Sequence, residues 1–598
     1  MKTFFASLGG AVIGSIVGLF LLFFVGMALI QFAVNDALKS ASGPETGQDD
    51  GNPIVLTLDL RYGYEDQAPT TGPEVLFGGA TGFIDIVNKL EAAANDDQVK
   101  GLFVRASDYG LGSSRAEEYR DAFLKFQAAD KFIITHSQGF FSGSPSAYRA
   151  IASSDEIWMQ PGTSLVSSGI TVEALFFKDL FDELSITPEF EAFYEYKSAV
   201  NTFEEAGFTD PHRENYIQLA ESLWQTSLVD IATDRGLPVE TVRSFLESSP
   251  VTGDEMISQN FATHSGWPED ARDAAWERVG GDAVHIDISD YNAPSSEFGS
   301  PVIAIVGGQG SIINGPSGGS LLQQGSGFAS DTIAESLLDA GRDEDVEAVI
   351  FRVDSPGGSP SASDQIWRAI QRVQEEEGKP VIVSMASSAA SGGYYVATGA
   401  DWIVANRSTI TGSIGIFGGK FAIEEAMQRI GVNAETIKVG GPFTGAFTTT
   451  EPFSEEQRVR FRDYLKQGYD RFTTLVGEGR DLTPEQVDAV ARGRVWTGAE
   501  AIQIGLVDEL GGMATAITKA RELAEIDPES DVRLVTYPMS SGGLAFLGAS
   551  SSATAQELKA LGQLTAVLSD PDVQALMSEL EAARGPQVQM RMPSLIER

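Results

Sequence analysis

Short runs of consecutive apolar residues recur along the chain and alternate with longer stretches whose apolar positions return every three or four residues. In the second half, AVIFRVD (348–354), PVIVSMA (380–386) and DWIVAN (401–406) have the length and β-branched content of strands buried on both faces. Between the first two, ASDQIWRAIQRVQEEE (362–377) gathers its apolar residues on one helical stripe. This alternation predicts an α/β fold with parallel strand pairing. One apolar run differs in kind. Ala11 to Phe32 is 22 residues without a charge, and at about 1.5 Å per residue a helix of that length crosses the roughly 30 Å hydrocarbon core of a bilayer. Residues 1–35 are therefore expected to form an uncleaved transmembrane anchor. A cleaved signal peptide is the alternative, since ALKSASG offers small residues, but the run exceeds the usual h-region. Lys2 before the span and Asp36 after it place the N-terminus in the cytoplasm and the rest outside. Residues 36–52, polar and rich in Gly, Ser and Asp, read as a flexible tether.

Past the tether the pattern repeats. DDQVKGLFVR (96–105) matches DEDVEAVIFR (343–352), and KFIITH (131–136) matches PVIVSM (380–385), at offsets of 247 and 249. AYRAIASSDEIWMQPGTSLVSSGI (147–170) lies over GYYVATGADWIVANRSTITGSIGI (393–416), and LPVETVRSFLESSPVTGDEM (237–256) over LTPEQVDAVARGRVWTGAEA (482–501), at 246 and 245. Two tandem copies of one unit are predicted, 53–290 and 301–540, joined by a linker at 291–300. Residues 541–598 match neither copy and are expected to form a Gly/Ser/Ala segment followed by peripheral helices.

Charge and composition narrow the function classes. The 84 acidic and 42 basic residues give a formal charge of -42, which repels nucleic acid and anionic lipid surfaces. No nucleic-acid partner is expected. The chain has no Cys, which removes disulfides, thiolate nucleophiles and zinc–thiolate sites, and four scattered His residues do not suggest a metal cluster. No metal or cofactor is expected.

The two copies differ where chemistry would sit. The second carries AASGGYY, with Ser391 and Gly392 at the junction of a strand and a helical segment; the first has Pro145 and Ser146 there, in a longer loop. VDSPGGSPS (353–361) corresponds to ASDYGLGSS (106–114), so the glycine pair that allows close backbone approach exists only in the second copy. Conversely, Lys197 of EAFYEYKSAVNTF falls near the position of Phe443. One copy offers a Ser, the other a Lys. A serine hydroxyl is a poor nucleophile until a neighbour takes its proton, normally a His. Of His136, His212, His264 and His285, only His136 closes a strand of the repeated core, and Met385 replaces it in the second copy. A buried lysine can serve instead once its pKa falls below the ordinary value of about 10.4, and Phe193, Tyr194 and Tyr196 are expected to supply apolar surroundings for Lys197. Taken singly, each residue keeps a plainer reading: a packed corner for Ser391, a surface lysine for Lys197, a turn serine for Ser413, a simple turn for SPGG.

DSPGG, AASGGYY, TGSIGIFG and YKSAV, in this arrangement behind one apolar span, resemble the long, duplicated form of the signal peptide peptidase A family, bacterial Ser-Lys proteases; the similarity covers residues 10 to 540. The resemblance implies a crotonase-like, Clp-protease-like fold in each half and a bowl-shaped homotetramer on the outer, periplasmic face of the cytoplasmic membrane. It also implies a membrane-anchored endopeptidase that degrades hydrophobic peptides such as cleaved signal peptides. Matched residue by residue, Ser391 is the nucleophile, Lys197 the general base, Gly357 and Gly392 the oxyanion hole, and Ser413 the serine that orients the lysine. Two other classes share the scaffold. A crotonase-type acyl-CoA enzyme is disfavoured by the external placement, and a catalytically dead membrane organiser would lack a reactive Ser391.

Overall fold

The computed structural model describes residues 51–66, 81–281, 283–293, 299–317, 327–527 and 530–538, and the backbone of 588–591 and 596–597. The predicted anchor at 1–35 and most of the tether lie outside the described residues, within which no helix is long and apolar enough to cross a membrane.

Both copies build the same sheet. In the first, six parallel strands run in the order Val284–Asp287, Ile54–Asp59, Val99–Arg105, Phe132–Ser137, Glu156–Met159, His264–Ser265. In the second, Arg533–Tyr537, Val302–Ile313, Val346–Ser355, Val381–Ala390, Trp402–Ala405 and Glu509–Leu510 pair in parallel in the corresponding order. The continuous apolar runs follow from burial on both faces. Alternate residues Ala304, Val349, Phe351 and Val383 pack under helices Ser330–Arg342 and Pro360–Glu377, while Ile303, Ile305, Ile350 and Ile382 pack against Met513–Leu523. Local chemistry sets the helix ends: Ser359 caps Pro360–Glu377 by accepting from the Ala362 amide, proline opens it, and Gly378 closes it at φ 69°.

The copies are not independent beads. Ile84 of the first joins the core under the second sheet. Buried charges cross the seam: Arg352 pairs with Asp66 at 2.8 Å and Glu118 at 2.7 Å, and Arg149 and Arg407 share Glu117 and Asp230. Most directly, strand Thr187–Ala192 of the first copy runs antiparallel to Phe417–Ala422 of the second, from Ala192 opposite Phe417 to Thr187 opposite Ala422.

One boundary shifts. Tyr291, expected in the linker, is buried in the first core, its hydroxyl donating to Asp96 at 2.9 Å. The peripheral helices expected within 541–598 lie outside the described residues; the described parts, Val588–Arg591 and Ile596–Glu597, are strands. Val588–Arg591 pairs with Gly357–Gly358 on one side and Phe417–Gly418 on the other, and Ile596–Glu597 pairs with Val172–Glu173.

Candidate active site

Strand Val381–Ala390 carries the chain into the helix Gly392–Ala397, and Ser391 sits at the junction with φ 54° and ψ −112°. A non-glycine residue in that region is strained, and such strain persists only where the surroundings fix it. Here its amide donates to the Gly412 carbonyl at 2.8 Å, and its carbonyl accepts from the Tyr395 amide at 2.8 Å. The turn is tight because the small residues leave no alternative: a Cβ on Gly393 would come within 2.8 Å of the Ser355 carbonyl. The sharp corner and the nucleophile position are thus one feature, with a buried hydroxyl at a helix N-terminus where backbone amides lack helical partners.

Lys197 reaches this hydroxyl from the other copy. Strand Thr187–Ala192, held on Phe417–Ala422 and continued by the Phe193 amide bonding to the Ile416 carbonyl at 3.1 Å, delivers Lys197 into the second copy. Its Nζ lies 2.8 Å from Ser391 Oγ, 3.0 Å from Ser413 Oγ and 3.0 Å from the Ser413 carbonyl. All three side chains are buried, Lys197 at 2% exposure and both serines at 0%. Burial lowers the Lys197 pKa well below the ordinary lysine value, with no carboxylate beside it to restore the charge. The neutral amine then has two hydrogens and one lone pair. The Ser413 carbonyl can only accept, so the lone pair is available to Ser391 Oγ.

The predicted aromatic surroundings of Lys197 are otherwise engaged. Tyr194 is 44% exposed and lies under Arg492, Tyr196 lies under Arg494 with its hydroxyl directed at Glu214, and Phe193 stacks on Tyr469. Glycine packing encloses the lysine instead. A Cβ on Gly493 (φ +84°) would lie 2.4 Å from Lys197 N, and one on Gly415 would lie 3.1 Å from its Cδ. The same loop braces Ser413, whose amide donates to the Arg494 carbonyl at 2.7 Å, while the Gly493 amide donates to the Ile414 carbonyl at 2.9 Å. The alignment of the copies held the signal for Gly493, since Ser248 occupies the matching position.

Gly357 and Gly358 border the same corner. A Cβ on Gly392 would lie 3.0 Å from Gly358 N and 3.2 Å from Gly357 Cα. The Gly357 amide is already committed, donating to Ser355 Oγ at 3.1 Å. A Cβ on Gly358 would meet the Ile312 carbonyl at 2.1 Å, so only glycine fits there. The histidines take no part: His136 faces the Gly266 carbonyl in the first sheet, and burial first, then Arg105, pushes it down to about 4. Among the described residues no cluster of His, Cys, Asp or Glu could hold a metal ion.

A duplicated α/β fold whose composite site sets a buried serine against a buried lysine defines a hydrolase of the serine type. The chain belongs to peptidase family S49, whose profile matches residues 129–280 and 373–527, one segment in each copy. It is 32% identical over 467 residues to Protease 4 of Haemophilus influenzae, covering 73% of this chain and 72% of that protein. It is 30% identical over 456 residues to Protease 4 of Salmonella typhi (74% and 72% covered). It is 28% identical over 549 residues to the chloroplastic serine protease SPPA of Arabidopsis thaliana (90% and 77% covered). The protein is a serine peptidase of this family.

Proposed function

We propose that the chain is a membrane-anchored endopeptidase that cuts hydrophobic peptides, such as released signal peptides, through an acyl-enzyme on Ser391 with Lys197 as general base. The observation that carries this reading is the 2.8 Å approach of Lys197 Nζ to Ser391 Oγ, with both groups buried. Ser391 Oγ attacks the scissile carbonyl and its proton passes to Nζ, which Ser413 holds through its hydroxyl and carbonyl. The protonated lysine then gives that proton to the leaving amine as the C–N bond breaks. A water, deprotonated by the same amine, hydrolyses the ester and restores Ser391.

The oxyanion forms beside the first turn of Gly392–Ala397, where the Gly392 amide is one donor. For the second we assign the Gly358 amide in place of the expected Gly357, whose N–H is taken by Ser355 Oγ. A crotonase-like, Clp-protease-like fold for each copy, anchoring through residues 11–32 and a homotetramer on the outer face of the cytoplasmic membrane belong to the same reading.

The test is turnover of internally quenched peptides of graded hydrophobicity by full-length protein in detergent. Apolar peptides should be cut inside the chain, and Ser391→Ala should abolish cutting. Equal cleavage by Ser391→Ala would overturn the proposal.

A further inference from the structure

One charged side chain beside the site has no part in the mechanism above. Asp354 stands near the end of strand Val346–Ser355, directly before Ser355 and three positions before Gly357. The parallel ladder with strand Val381–Ala390 breaks beside it. Val353 lies opposite Met385 and Ser355 opposite Ala389, so a step of two residues on one strand is matched by a step of four on the other, and the surplus bulges out just ahead of Ser391. Such a bulge leaves main-chain groups without ladder partners. Asp354 supplies the missing acceptor: its Oδ1 receives the Ser388 amide at 3.0 Å and the Ser388 hydroxyl at 3.3 Å.

Both flanks of this contact lead to reacting groups. On one side Ser388, Ala389 and Ala390 pair with Ile410, Thr411 and Gly412, and the Gly412 carbonyl, directly before Ser413, accepts from the Ser391 amide. On the other, Ser355 takes the Gly357 amide on its Oγ and sets its carbonyl against Gly393. The first copy lacks the whole arrangement. Its ladder runs without a shift from Gly101 opposite Phe132 to Arg105 opposite His136, and Ser107, at the position of Asp354, donates to the Tyr109 carbonyl within its own turn. Carboxylate, bulge and nucleophile thus occur in one copy only. Desolvation first, then the Asp66 charge, pushes the Asp354 pKa up, and Arg115 and Arg352 offset this only in part. A neutral acceptor of the same shape can therefore stand there without an added burial cost.

We propose that Asp354 is a positioning residue for the nucleophile: by accepting from Ser388 it fixes the bulge that sets the Ser391 hydroxyl against the Lys197 amine and beside the glycine pair. The inference rests on the peptidase reading and adds a residue to it. Asp354 acts through the main chain of 388–391. Without its acceptor the Ser388 amide is left unpaired and the segment relaxes, and a shift of about 1 Å in a catalytic group costs about 100-fold in rate.

The experiment compares the full-length parent with Asp354→Ala, with Asp354→Ser, which imports the first copy's residue, and with Asp354→Asn, whose amide oxygen still accepts from Ser388. Each protein is melted, assayed on a quenched peptide across a pH series, and followed by hydrogen exchange in the fragment covering 386–392. The expected result is kcat down about 100-fold in Asp354→Ala and Asp354→Ser with KM within about twofold, and recovery in Asp354→Asn to within about fivefold of the parent. The ascending pH limb should stay in place in every variant, because burial alone sets the Lys197 pKa. Exchange in 386–392 should run about tenfold faster in Asp354→Ala and Asp354→Ser and return to the parent rate in Asp354→Asn. A folded Asp354→Ala or Asp354→Ser protein with kcat near the parent's overturns the proposal. So does an Asp354→Asn protein as slow as Asp354→Ala, since the acceptor would then not be what acts, and so does a displaced pH limb, which would mean that the charge acts on Lys197. A parent without turnover counts against the peptidase reading instead, and the exchange arm still decides: equal exchange in the parent and Asp354→Ala would show that Asp354 does not hold the segment.

Discussion

Gly493 offers a sharp test of how the site is held, because it touches neither Ser391 nor substrate. A Cβ added there lies 2.4 Å from Lys197 N, 2.6 Å from its Cα and 2.7 Å from its Cβ, against an ordinary contact of at least 3.4 Å. Gly493→Ala must therefore push the Lys197 backbone or its own loop by about 1 Å, and a displacement of that size in a catalytic group costs about 100-fold in rate, or about 2.7 kcal/mol. The positive φ adds about 1–2 kcal/mol of backbone strain to the folded state. Gly236 is the control: its φ is +63°, yet a Cβ there has nothing within 4 Å. Gly236→Ala should carry the strain without the displacement. Steady-state kinetics on a quenched peptide, with thermal melts of the same preparations, should show kcat/KM down about 100-fold in Gly493→Ala and unchanged in Gly236→Ala, with both melting at somewhat lower temperature. A folded Gly493→Ala protein with undiminished kcat/KM would refute the argument that glycine packing sets the lysine.

Activity should rise with pH along one ascending limb whose apparent pKa lies below the ordinary lysine range, because only the neutral Lys197 accepts a proton; a limb that survives in Lys197→Met would assign it to another group. The sign for stability follows from the same burial. The unfolded chain binds a proton on this lysine that the folded chain excludes, so the cost is present at neutral pH and fades as pH approaches 10.5, and Lys197→Met should melt higher than the parent at pH 7; a lower melt would contradict it. Ser413→Ala keeps the carbonyl contact to Nζ and loses the hydroxyl, so kcat should fall by about 10- to 100-fold with KM little changed, and an unaltered kcat would remove Ser413 from the mechanism. Arg352→Met leaves Asp66 and Glu118 buried without their partner, for an expected loss of about 3–5 kcal/mol in denaturant unfolding; a loss under 1 kcal/mol would show that the seam is not held by charge. Burial opposes the ionisation of Glu117, but Arg149 and Arg407 overcome it and hold its pKa at about 2, so this part of the stability should be lost as pH falls from about 4.5 toward 2.

The α/β pattern and the duplication were legible because buried parallel strands and their covering helices leave strong local periodicities, and each copy repeats them. Both sheets follow the same strand order. Ser391 and Lys197 could be picked out because the copies diverge there, and Ser413 through the family resemblance alone, since Ser167 stands at its matching position; the structure brings both serine hydroxyls within 3.0 Å of the Lys197 amine. What stayed hidden was set by long-range packing. The copies differ at Gly493, but the lysine it encloses lies 296 positions away, so that contact shows only in the fold. Phe193, Tyr194 and Tyr196 looked like lysine surroundings because they are neighbours in sequence, yet their rings turn to Tyr469, Arg492 and Arg494. Gly357 and Gly358 were indistinguishable as letters; only the bond from the Gly357 amide to Ser355 separates them. The pairing of residues 588–591 across the site gave no signal either, since strand addition depends on main chain rather than on side-chain identity.

The claim at the centre is that Lys197, from one copy, activates Ser391, from the other. The most direct measurement is covalent labelling of the full-length protein by a fluorophosphonate, followed by peptide mapping across a pH series, in the parent and in Lys197→Met. A single adduct on Ser391 is expected, its rate of formation climbing with pH in the parent, with no adduct above background in a Lys197→Met protein that still melts cooperatively. An adduct on a different serine, or Ser391 labelled at the parent rate without Lys197, would contradict it.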